Sequence, residues 1–163
     1  MKCFECGAEM KSTRGVHKYT ESGLDNVTLQ DIEIRRCPSC GDEAYSIPNM
    51  GGLHRAIALA LAGRHARLSG QELRFLRKYL GHSSTDFAKL LGKTKETISR
   101  WENGSRKPSV SMERFIRLMV FNEQPATHYP LEELSDVMEE PKKRPILRMS
   151  EGASGWVPHM AAA

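Results

Sequence analysis

The sequence predicts an α+β chain in which a small β-rich module precedes an all-α domain. Three observations predict it. All four cysteines fall in the first quarter of the 163 residues, as the pairs Cys3/Cys6 and Cys37/Cys40. Around Val27, Leu29, Ile32 and Ile34, apolar and polar residues alternate with the period of strands. From Ser69 onward the pattern changes to short helical stripes, each closed by a glycine: Gly81, Gly92, Gly104.

The first module is assigned to residues 1–48. Each Cys-x-x-Cys is a short turn able to present two sulfurs to one tetrahedral ion, and Cys6-Gly7 and Cys40-Gly41 repeat the same ending. Two disulfides would suit a secreted chain, but MKCFECGAEM carries no apolar leader, so a reducing, cytoplasmic setting is expected. A redox motif would be one pair beside a βαβ pattern. The reading is therefore a structural zinc site formed by Cys3, Cys6, Cys37 and Cys40. Four thiolates leave no open position for water, which argues against a catalytic metal. His17, His54, His65 and His82 have no paired spacing and read as surface residues. The pairs are separated by residues 7 to 36, longer than the usual ribbon spacing, so this insert must carry structure of its own. Ser22-Gly23 and Asp25-Asn26 supply turn chemistry within it.

Residues 49–66 read as a helix and linker. Leu53, Ile57, Ala60 and Leu61 share one face of a helix from about Met50 to Gly63, and Arg64 to Arg67 would lead onward. The next unit, 67–124, holds four more helices. Ser69 caps the first, with Glu72 placed for a capping box and Leu73, Leu76 and Leu80 as its stripe. Ser83 or Ser84 caps the second, with Phe87, Ala88 and Leu91 inward. Thr94 caps the third, Lys95 to Asn103, with Ile98 and Trp101 inward. Pro108-Ser109 opens the fourth, with Phe115, Ile116 and Met119 expected to be buried. The tight turn Leu91-Gly92-Lys93-Thr94 makes the middle pair a helix-turn-helix. Residues 125–163 read as a largely disordered tail, with a short amphipathic helix over Leu131 to Met138 and a basic cluster at Lys142-Lys143-Arg144.

Charge is distributed unevenly. Residues 1–65 are balanced at eight Lys/Arg and eight Asp/Glu, while residues 66–124 carry twelve against six, a surplus of +6. Residues 125–163 carry four against six. The basic middle is where a nucleic-acid partner should bind. No run reaches the 18 or so apolar residues of a membrane span, so no membrane partner is expected. No nucleophile–base set or phosphate-cradling loop is present, and an enzyme is not expected.

The run LGHSSTDFAKLLGKTKETISRWENG resembles the helix-turn-helix of the phage-repressor (Cro/C1, or XRE) family. The landmarks are Phe87-Ala88, Leu90-Leu91-Gly92, Ile98-Ser99-Arg100-Trp101-Glu102 and Asn103-Gly104. Ser84 stands where that family often has a glutamine, and His82 and Lys93 replace commonly apolar residues. The resemblance implies an ion pair between Arg77 and Glu102. With the preceding cysteine knuckles, residues 1–122 look like the MqsA/YgiT-type antitoxins, to which Glu21 to Val27 and Arg74-Phe75-Leu76-Arg77 add further likeness. That likeness implies a zinc-built module that helps bind a cognate toxin, and a dimer that represses its own operon.

With Ile98 and Trp101 inward, Glu96, Ser99, Arg100 and Asn103 point away and Lys95 lies on the flank; this face is the one to enter a major groove. Arg100 is the best base reader, because its guanidinium can pair with guanine O6 and N7. Glu96 is either an acceptor for cytosine N4 or a partner of Arg100. Ser84, Lys95, Arg106 and Lys107 are candidate phosphate contacts. The expected function is a zinc-containing, sequence-specific antitoxin of a type II toxin–antitoxin system, binding a double-stranded operator as a homodimer. The alternative is a stand-alone regulator responding to metal or oxidant through its thiolates.

Overall fold

The computed structural model describes residues 1–122 and 146–161, and its side-chain description ends at His159. β1 (Lys11–Lys18) and β2 (Val27–Arg36) form an antiparallel hairpin inside the insert between the cysteine pairs. β3 (Glu43–Ser46) follows the second knuckle and pairs with the last four residues of β2. The alternation in β2 breaks at Asp31, whose φ is +56°, and the β1–β2 register slips between Gly15 and His17. The extra residue is a bulge. It lets Val27, Leu29 and Ile32 all face inward, where a strict period of two would have sent Ile32 to the opposite side.

The largest departure from the sequence reading is at the end of the chain. Residues expected to belong to a disordered tail form a hairpin, β4 (Ile146–Gly152) and β5 (Gly155–Ala161). β4 pairs parallel to β2 from Val27↔Leu147 to Leu29↔Met149, and Leu147 N–H donates to Asn26 O at 2.8 Å. The sheet order is β1-β2-β4-β5, with β3 beside β2. The driving force is burial: Leu147 and Met149 are fully enclosed, and Trp156 packs inward while its Nε1 donates to Pro48 O at 3.2 Å. The expected helix over 131–138 and the basic cluster at 142–144 lie outside the described residues.

α1 (Met50–Gly63) has the bounds its periodicity predicts. Asn49 caps it, its Oδ1 accepting from Gly52 N–H at 3.0 Å. Leu53, Ile57 and Leu61 are fully buried, and the helix packs against β4 and β5 on one side and two later helices on the other. Those are α2 (Gly70–Tyr79) and α5 (Val110–Asn122). Between them come α3 (Ser84–Leu90) and α4 (Lys95–Glu102). One apolar cluster runs from Tyr19 and Leu29 of the sheet region through α1 to Leu76, Trp101 and Ile116. In α5 the inward stripe is Ile116, Val120 and Phe121, not the expected one through Phe115, which is 46% exposed. No helix among the described residues is long and apolar enough to cross a membrane.

The segment joining α1 to α2 is buried and charged. Arg64 pairs with Glu72, and Arg67 Nε donates to Glu113 Oε2 at 2.6 Å. Arg117 Nη2 donates to the other oxygen of Glu113 at 2.7 Å and to Ala66 O at 2.6 Å. Five nearly enclosed ionisable side chains, from elements far apart in sequence, thus pair across one seam.

Candidate metal centre and nucleic-acid interface

The two knuckles are built alike. Cys3 N–H donates to Ala8 O at 2.9 Å and Gly7 N–H to Cys3 O at 3.0 Å; Cys37 N–H donates to Asp42 O at 2.8 Å and Gly41 N–H to Cys37 O at 3.0 Å. Gly7 and Gly41 close them with φ of +73° and +79°, which explains the repeated Cys-Gly. The β1–β2 hairpin and β3 lie between and after the knuckles and bring them face to face. All four cysteines are free, and their sulfurs lie within 4.8 Å of one another. Cys6 Sγ is 3.4 Å from Cys37 Sγ, and Cys3 Sγ is 3.6 Å from Cys40 Sγ. Metal–sulfur bonds of about 2.3 Å in a tetrahedron put neighbouring sulfurs about 3.8 Å apart, so the cluster fits one ion of that class. The Cys40 backbone N–H lowers the Cys37 thiol to about 6; desolvation opposes it and the Ser39 N–H reinforces it. Backbone N–H bonds lower the Cys3, Cys6 and Cys40 thiols, but burial and the neighbouring sulfurs outweigh them and hold all three above their ordinary range.

The helix pair is held by local chemistry that the sequence displays. Ser69 accepts from Glu72 N–H at 3.3 Å while Glu72 Oε2 accepts from Ser69 N–H at 2.7 Å, a complete capping box. Ser83 caps α3, accepting from Asp86 N–H at 3.1 Å, and Thr94 caps α4, accepting from Thr97 N–H at 3.2 Å. Gly92 turns the chain between them with φ of +61°. Phe87, Ala88, Leu91, Ile98 and Trp101 are buried, so α4 offers its other side to solvent. Lys95, Glu96, Ser99, Arg100 and Asn103 are exposed on that side, as are Arg106 and Lys107 just beyond; Ser84 is half-buried at the start of α3. Asn103 is partly committed, its Oδ1 accepting from Ser105 N–H at 3.0 Å and Ser105 Oγ at 2.7 Å. Its own backbone N–H and the Thr94 hydroxyl hold the Glu96 carboxyl below the usual range, and Lys95 and Arg100 add to this. Glu96 is thus ionised and tied to the helix start. Arg77 and Glu102 meet as the resemblance implied, Arg77 Nε to Glu102 Oε1 at 2.5 Å.

A family model for the helix-turn-helix matches residues 73–112. This part of the chain is a helix-turn-helix. The match runs from α2 into α5 and makes double-stranded DNA the partner of this unit, in keeping with a DNA-binding regulator. Neither the curated proteins nor the solved structures contain a significant match to the chain.

Sequence reasoning missed one contributor here. A cleft of about 230 Å³ opens beside α4, with Lys93 from the turn, Arg106, Lys107 and Ser109 from the α4–α5 loop, and Trp101 beneath. In sequence Lys93 is only a departure from a commonly apolar position. Its convergence with Arg106 and Lys107 depends on where the loop folds back, which no local pattern encodes.

Proposed function

We propose that the chain is a zinc-containing, sequence-specific DNA-binding antitoxin that neutralises a toxin and, as a dimer, represses its own operon. Supporting the metal assignment, four cysteine sulfurs within 4.8 Å of one another favour zinc over hard cations. The ion would supply structure: it would tie the chain's start to the turn after β2 and leave no position for substrate. On the DNA side, α4 would enter the major groove with Arg100 on a guanine and Glu96 beside it. Ser84, Lys95, Arg106 and Lys107 would hold phosphates on either flank.

The observation that carries this reading is the separation of the two surfaces. The sulfur cluster belongs to loops at residues 3–6 and 37–40, the exposed basic face to α4 and the loop after it, and no element contributes to both. Such a chain can hold DNA and a protein partner at once. The test is to express it together with its neighbouring reading frames and weigh the purified complex by native mass spectrometry. The expected result is one zinc ion per chain and a small partner protein released when the zinc is chelated. A chain that binds zinc and DNA but no neighbouring protein would return the reading to a stand-alone regulator.

A further inference from the structure

Arg67 sits in the connection between α1 and α2, far in sequence from the helix-turn-helix loop, yet it touches that loop directly. Its Nη2 donates to Pro108 O at 2.6 Å, and its Nε to Glu113 Oε2 at 2.6 Å. Glu113 is anchored in turn by Leu68 N–H at 3.0 Å and by Arg117. Pro108 immediately follows Arg106 and Lys107, the two cations that line the cleft beside α4 with Lys93. Arg67 itself is almost wholly buried, so it cannot meet DNA.

We propose that Arg67 is a positioning residue for phosphate binding, holding the Arg106–Lys107 loop from behind so that its cations converge with Lys93 on one backbone phosphate. The inference rests on the DNA-binding reading and deepens it. A guanidinium fork can satisfy Glu113 and the Pro108 carbonyl together because its donors diverge in one plane. An ammonium in the same place keeps the charge opposite Glu113 but loses the second, directed bond. The cleft itself has a floor (Trp101) and three cations with no carboxylate among its lining side chains, which suits a phosphodiester. Holding the loop in the unbound protein lowers the ordering cost at the moment of binding.

The measurement is the dependence of DNA affinity on salt, because each phosphate neutralised contributes about 0.9 to the logarithmic slope on duplex DNA. Arg67→Lys is compared with wild type, with the Arg106→Ala/Lys107→Ala double variant, and with all three changes combined. Arg67→Lys should flatten the slope by up to about 0.9, the share of one phosphate, weaken binding about equally on specific and random DNA, and add little in the combined variant. A purely structural role would lower the melting temperature and leave the slope unchanged. A folded Arg67→Lys protein with the wild-type slope overturns the proposal. Should the lysine variant fail to fold, Arg67→Gln carries the same comparison, since Glu113 there remains balanced by Arg117. Wild-type protein with no salt-dependent binding would instead remove the DNA reading on which the inference stands.

Discussion

Glu102 shows how much one side chain can hold. Both its oxygens take bonds from Arg77, at 2.5 and 3.2 Å, and Oε2 also takes one from Arg74 at 3.1 Å. Arg77 is nearly enclosed whereas Arg74 is half exposed, so the two partners are unequal. Glu102→Ala leaves the Arg77 charge buried without compensation and should cost about 3–5 kcal/mol in urea unfolding, because the desolvation of the remaining arginine is no longer offset. Arg74→Ala should cost less than about 1 kcal/mol, as expected for a solvated pair. Equal losses would contradict the burial argument. The Arg77–Glu102 pair was anticipated only through resemblance, since nothing local links positions 25 apart. The second role of Glu72 was hidden for the same reason. Its spacing from Ser69 announces a capping box, but its ion pair with Arg64 is set by packing between α1 and α2.

At the scale of elements, what was legible is what is local. Ser69, Thr94 and the positive-φ glycines mark helix ends because capping is decided within four residues. The bounds of α1 follow likewise from a single apolar face. The closing hairpin was missed although Leu147 and Met149 alternate with polar neighbours. Its Gly, Ala and Ser content resembles a tail, and its strand partner is Val27 to Leu29, more than a hundred residues earlier. The placement of α2 against α4 was foreshadowed only by the Arg77–Glu102 pair that the resemblance implies, and how closely the two backbones approach was not legible. Gly70, at the start of α2, approaches the end of α4 so closely that a Cβ would lie 2.8 Å from Trp101 O and closer still to the Glu102 carbonyl. By helix preference alone Gly70→Ala would stabilise by roughly 0.5–1 kcal/mol. Here it should destabilise by about 1–3 kcal/mol, because two backbones must separate. Thermal melting decides the sign, and a variant more stable than wild type would show that the two helices are not in contact.

Across the whole molecule, modules that read as separate in sequence share one core. α1 packs on strands from the end of the chain and on helices from its middle, and the α1–α2 connection is a buried ionic seam. The sulfur cluster and α4 therefore sit on one framework while using different surfaces. The cysteine spacing made the metal site readable and the +6 surplus made the nucleic-acid side readable; the framework between them depends on contacts 40 to 120 residues apart. The central claim is that α4 reads sequence through Arg100, and the most direct measurement is selection from random duplex DNA by wild type and by Arg100→Ala. Wild type should recover two symmetry-related half-sites about one helical turn, or a multiple of it, apart. Arg100→Ala, unchanged in melting temperature, should lose discrimination at one base pair of each half-site by about 1–3 kcal/mol. The same selected sequence with the same discrimination from both proteins would contradict the account.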